Sequence, residues 1–83
     1  METSAMVREI SGTTYVYIPR WMAAFAGEHG GRFRVTSDTT TAEVDTPIRR
    51  SGHAFRIPLY KREKIAIENG TPVRVQLLEG WVQ

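Results

Sequence analysis

The chain has 83 residues, no cysteine, and hydrophobic and charged fractions of 41% and 24%, which are those of a folded globular domain rather than a disordered one. That length allows one domain with a thin core, burying only ~60% of the surface its unfolded chain exposes. Without cysteine there are no disulfide staples or thiolate zinc sites, and two histidines, His29 and His53, are too few for a metal centre, so no cofactor is expected.

The longest apolar run, around Met22 to Ala26, is far too short to span a bilayer. The opening METSAMVREI lacks the basic and apolar regions of a signal peptide. The expectation is a cytoplasmic protein without a membrane partner. Its net charge of +2 is unevenly placed. Residues 1–41 balance four arginines against four acids, whereas residues 42–83 carry seven basic groups against five acidic ones. Six of those seven fall between Arg49 and Lys64, opposed there only by Glu63. A local basic patch matters more for polyanion binding than the total does.

In chain order, a short strand is expected over Val7 to Ile10, followed by a Ser11-Gly12 turn in which glycine supplies the positive φ of a tight hairpin. The next strand, YVYI, alternates: Val16 and Ile18 share a core face, and Tyr15 and Tyr17 turn outward. Pro19 ends that strand and opens a helix over roughly Arg20 to Ala26, since its missing N–H costs nothing in a first helical turn. Trp21, Met22 and Phe25 have helical spacing and are assigned to the core. Gly30-Gly31 turns the chain into a third strand, RFRVTSD, with Phe33 and Val35 on one face. Thr36 to Thr41 reads as a hairpin tip, TAEV as a fourth strand, and Asp45-Thr46-Pro47 as a joint.

The remaining residues repeat this plan. A strand over Ile48 to Arg50, a Ser51-Gly52 turn and a strand AFRI come first, with Phe55 and Ile57 inward and Ala54 and Arg56 outward. Pro58 then opens a helix from Leu59 to about Ile65, Asn69-Gly70 turns into PVRVQLLE, and WVQ forms a last short strand with Trp81 closing the end. Ser11-Gly12 faces Ser51-Gly52, Ile18-Pro19 faces Ile57-Pro58, Gly30-Gly31 faces Asn69-Gly70, and Arg32 to Val35 face Pro72 to Val75. The expectation is a single domain, 1–83, built from two ββαβ repeats at about 5–44 and 46–83. One such unit cannot close a core alone, but two can interleave.

The stretch IPLYKREKIAIENGTPVRV contains Ile57-Pro58, Arg62, Ile65, Ala66, Ile67, Gly70, and Val73 with Val75. Over most of residues 47–78 this pattern resembles the DNA-binding domain of the AbrB/SpoVT type, found in bacterial transition-state regulators, some antitoxins and many archaeal regulators. The first copy keeps Arg8, Gly12, Ile18-Pro19, Gly27 and Gly31, but has Ala23 where the helix arginine would stand. The resemblance implies a mainly β fold with short helices, a swapped-hairpin barrel. Here two repeats of one chain would form it, where the family uses two chains. The double-psi barrel, a related cradle-loop topology of two ββαβ halves, is the alternative.

The resemblance further implies a transcription regulator that binds double-stranded DNA. Position by position it carries DNA contact to Arg8 in the first copy and to Arg49, Arg50, Arg56 and Arg62 in the second. Lys61 and Lys64 would add phosphate contacts, and His53 a donor at the second hairpin turn. Arginine suits the role because its planar fork donates two parallel hydrogen bonds to a phosphate or a guanine edge. Arg20, Arg32, Arg34 and Arg74 read as solvated residues, and His29 as a loop residue.

An outward Tyr15 and Tyr17 would make an exposed aromatic pair, either a partner-binding patch or a stacking platform for unpaired bases. They carry the alternative function, a protein-interaction module, antitoxin-like or part of an assembly, with no direct DNA role. Because only one half is strongly basic, self-association to a homodimer would supply a symmetric second DNA contact. No Ser-His-acid or Cys-His arrangement is evident, and GEHGG follows a short helix instead of preceding one, so it is not a phosphate-cradling loop. The chain is not expected to be an enzyme.

Overall fold

The computed structural model describes residues 2–27, 29–59 and 67–81. They form seven strands and one helix: β1 (Glu2–Ile10), β2 (Thr13–Ile18), α1 (Arg20–Ala26), β3 (Gly31–Thr36), β4 (Thr41–Thr46), β5 (Arg49–Ser51), β6 (Ala54–Leu59) and β7 (Pro72–Gly80). The fold is mainly β. All strand pairs are antiparallel, in the order β4-β3-β7-β1-β2-β6-β5. The hydrogen-bonded order ends at β4 and β5 and does not close into a ring. No helix among the described residues is long and apolar enough to cross a membrane.

β1 joins two halves of this sheet. Glu2 to Met6 pair with β7, and Val7 to Ile10 pair with β2. The halves share one core, in which Val7, Val16, Ile18, Ile57 and Leu59 meet Phe33, Val35, Val44, Val73 and Val75. Met22, Ala23 and Ala26 of α1 plug the same cluster. Period-two alternation drives this arrangement: the valines and isoleucines of the cluster sit on the inward sides of their strands, where burial stabilises each by about 1.5–3 kcal/mol.

The segments matched in sequence meet in register. Ile18 pairs with Phe55 and Val16 with Ile57, so the two pairs exchange under a half-turn about the Tyr17–Arg56 pair. In the other half Arg34 pairs with Gln76 and Thr36 with Arg74, which exchange about Val35–Val75. The sheet registers thus define a pseudo-two-fold through Tyr17–Arg56 and Val35–Val75. Its two counterpart arginines are both ion-paired, though with acids at different register positions: Arg34 holds the directly opposite Glu43 at 3.1 Å, and Arg74 holds the diagonal Glu2 at 2.9 Å.

Four sequence expectations are corrected. First, the strand found beside β7 is the amino-terminal half of β1, and of the expected last strand WVQ only Trp81 is described. The amino-terminal half of β1 lies against β7 as β4 lies against β3, and Trp81 sits outside any strand, its N–H donating to Gly30 O at 2.9 Å. Second, Pro58 does not open a helix at Leu59. β6 runs through it, pairing Pro58 with Tyr15 and Leu59 with Thr14. β5 covers only Ala54 to Arg56, so among the described residues Pro58 lies where β6 has one strand neighbour, a place that tolerates a missing donor. The rest of the expected second helix, 60–66, lies outside the described residues, as do Val82 and Gln83.

Third, the two Ser-Gly turns are not equivalent. Ser11-Gly12 turns with φ of 50° and 82°, the sign pattern of a type I′ hairpin, whereas the second turn is Gly52-His53. The first hairpin therefore reaches two residues further from the central pair. Fourth, Trp21 and Phe25 leave the core, at 47% and 65% exposure, while Met22 is fully buried. The Gly30 turn is tight: φ is 102°, and a Cβ there would collide with the Thr46 carbonyl oxygen and Pro47 Cα.

Candidate nucleic-acid interface

β1, β2, β6 and β5 lie side by side, with core residues on one face. The opposite face is set by register, because directly paired residues point the same way. One row runs Arg49, Arg56, Tyr17 across β5, β6 and β2; the next places Arg8 of β1 beside Tyr15 of β2. Four of the sequence-derived candidates, Arg8, Arg49, Tyr15 and Tyr17, thus gather on one outer face around a fifth, Arg56, which lies on the pseudo-two-fold. Arg8 and Arg49 are exposed, Tyr17 is at the margin of exposure, and Tyr15 and Arg56 are half-buried.

Arg56 and Tyr15 are diagonal neighbours across β2 and β6, and the guanidinium carbon sits 4.2 Å from the Tyr15 ring centroid. This cation–π stack holds the guanidinium flat over the ring and so orients its in-plane donors. The Arg56 Nε is buried and has no hydrogen-bond partner among the described residues. A buried donor without an acceptor costs about 1–3 kcal/mol. Tyr15 is accordingly a support for Arg56 as much as a free aromatic surface.

Arg50 and His53 belong to the same β5–β6 hairpin but not to that face. Arg50 pairs with Phe55 on the side facing α1, its Nε donating to Gly52 O at 3.1 Å. His53 is at the exposed hairpin turn and lines a hollow with Arg20, Arg50 and Phe55. Lys61, Arg62 and Lys64 lie outside the described residues.

Three further arginines, Arg32, Arg34 and Arg74, are paired with acids. Arg32 donates from Nε to Asp45 at 2.8 Å, and this hydrogen bond holds the Asp45 carboxyl below its ordinary pKa and Arg32 above its own. A depressed carboxylate stabilises the fold above the usual Asp range and loses that contribution as pH falls through the lowered value; both groups are exposed, so the effect is small. Arg34 and Arg74 are held by Glu43 and Glu2. Arg8, Arg20, Arg49, Arg50 and Arg56 make no ion pair among the described residues. Among the described residues the unpaired arginines are therefore concentrated on the β1-β2-β6-β5 half and the start of α1.

Sequence reasoning missed the Arg56–Tyr15 stack and the approach of Arg20 to the second hairpin. The first had a usable signal, the offset of 39 residues between Ile18 and Ile57, which makes Tyr17 the counterpart of Arg56. Among the described residues no three His, Asp or Glu side chains gather as a metal site. No protein-family model, curated protein or solved structure matches the chain.

Proposed function

We propose that this chain is a DNA-binding transcription regulator that grips duplex DNA through the outer face of β1, β2, β6 and β5. The observation that carries the reading is the gathering of Arg8, Arg49 and Arg56 on one outer face, none of them in an ion pair among the described residues, while Arg32, Arg34 and Arg74 in the other half of the sheet are paired with acids. The pseudo-two-fold takes Arg56 to Tyr17 and Arg8 to Ser51, so the strands are related by symmetry while the cations meet a duplex asymmetrically. In this reading the two repeats pair as a single-chain version of the swapped-hairpin arrangement. Arg8 and Arg49 contact phosphates, and Arg56, its guanidinium stacked on Tyr15, adds a third cation between them. The protein works by binding alone, in the cytoplasm, and a second copy extends the contact along the duplex.

Such a face is expected to read backbone and shape more than base edges. Fluorescence anisotropy with a labelled random-sequence duplex tests the reading. Three phosphate contacts give a log–log salt slope of about −2.7, with dissociation constants of roughly 10⁻⁴–10⁻⁶ M at physiological salt. Anisotropy that stays flat at low salt would overturn it.

A further inference from the structure

The other side of the β5–β6 hairpin carries a second unexplained surface. A groove of about 400 Å³ runs between α1 and the hairpin, floored by Ala23, Ala24 and Gly27 of α1 and walled by Ile48 and Phe55. Arg20 and Arg50 stand in its lining, and the adjoining hollow adds His53. Arg50 is fixed there, with its guanidinium carbon 5.9 Å from the Phe55 ring centroid and its Nε on the Gly52 carbonyl. Neither arginine makes an ion pair among the described residues.

Two further observations indicate what fits. β5 is the last strand of the sheet, all three of its residues are exposed, and β6 is its one strand partner among the described residues. Its outer edge thus offers backbone donors and acceptors directly beside the groove. Ile48 and Arg50, two residues apart, point to the groove as alternate side chains along that edge. Elsewhere on α1, outside the groove lining, Trp21 and Phe25 stand one turn apart at 47% and 65% exposure. Aromatic and arginine side chains around a small apolar hollow have the composition of a protein-binding hot spot.

We propose that the α1–β5 groove binds an extended, acidic segment of a protein partner. The segment adds alongside β5 as an outer strand, seats an apolar side chain over Ala23, Ala24 and Phe55, and presents carboxylates to Arg20 and Arg50. The unpaired edge selects an extended backbone, the apolar floor selects the anchor, and the two guanidinium groups select acids. Arg50, assigned to DNA by resemblance, serves this surface instead. The DNA face and the groove lie on opposite faces of one hairpin, so the partner and the duplex need not compete.

The probe is a labelled peptide of about ten residues alternating Glu with Leu, titrated against the full chain by fluorescence anisotropy. A small groove with one added strand predicts a dissociation constant of roughly 10–100 μM. Binding weakens at least ~10-fold when Lys replaces Glu, when Ala replaces Leu, or when alternate backbone amides on the β5-facing side are N-methylated, because each removes one of the three selecting features. Ala24→Glu, at an exposed helix position, blocks the floor and lowers peptide affinity ~10-fold while leaving duplex binding intact. The double variant Arg20→Glu with Arg50→Glu reverses the preference toward the Lys peptide. The proposal is overturned if the Glu–Leu peptide shows no binding up to about 1 mM, if the Lys peptide binds the wild type as well, if N-methylation changes nothing, or if Ala24→Glu binds the peptide unchanged. None of these results depends on whether duplex DNA binds, so the two readings fail separately.

Discussion

Replacing Arg8, Arg49 and Arg56 together by alanine is expected to lower affinity for random-sequence duplex DNA at least ~100-fold and to flatten the log–log salt slope by about 2–3. A charge-assisted hydrogen bond is worth ~1.5–3 kcal/mol, so three of them exceed 4 kcal/mol if additive; neighbouring groups are not, and a hundredfold is the conservative figure. The triple variant should fold, since Arg8 and Arg49 are exposed and none of the three holds an ion pair among the described residues. Its far-ultraviolet circular dichroism is the control. Arg56 differs from the other two because it lies over Tyr15. Arg56→Lys keeps the charge but loses the planar stack, so it is expected to lose affinity without changing the salt slope. A triple variant that binds like the wild type would remove this face from the account.

Phe33→Ala is expected to leave the chain unfolded at room temperature. Phe33 is fully buried and sits on β3 between Val44 of β4 and Leu77 of β7, beside a register shift in the β3–β7 ladder. Truncating a buried phenylalanine costs about 3–5 kcal/mol, because the lost transfer energy is compounded by an unfilled cavity. A domain of this length has a total stability of only about 5 kcal/mol. The two halves of the sheet share one core, so the loss is not confined to β3 and β4. Circular dichroism and urea titration check this: the expected trace shows no cooperative transition, and a variant that keeps a wild-type urea midpoint would show that Phe33 is not the keystone its burial suggests.

Much of this architecture was legible because a few residue types leave narrow choices. Pro19 and the small residues after it placed α1 over Arg20–Ala26, and alternation put Val16, Ile18 and Ile57 inward. The matched Ile-Pro pairs located the two central strands. Where the reading failed, a local rule met a tertiary constraint. Proline after an alternating strand usually ends it, yet Pro58 stays in β6 because β5 is too short to need its donor. Two aromatics one turn apart look like a buried stripe, but the inward side of a seven-residue helix is filled by Met22, Ala23 and Ala26, and the rings are left outside. The residues ETSAM carry little hydrophobic signal, and their place beside β7 follows from backbone pairing that side chains do not advertise. The candidate interface was half visible: arginine positions could be picked out, but the division of the second hairpin between two faces required its true turn, Gly52-His53, rather than Ser51-Gly52.

The proposed grip on DNA rests on one claim, that cations from both repeats share the outer face of a sheet centred on Tyr17 and Arg56. Backbone and arginine side-chain NMR spectra of the full chain, titrated with a short random duplex, address it directly. The account predicts that the largest shifts fall on Arg8, Tyr15, Tyr17, Arg49 and Arg56, while Arg32 and Arg34, paired with Asp45 and Glu43, stay in place. Shifts that spare those five residues and gather on β3 and β4 would contradict it.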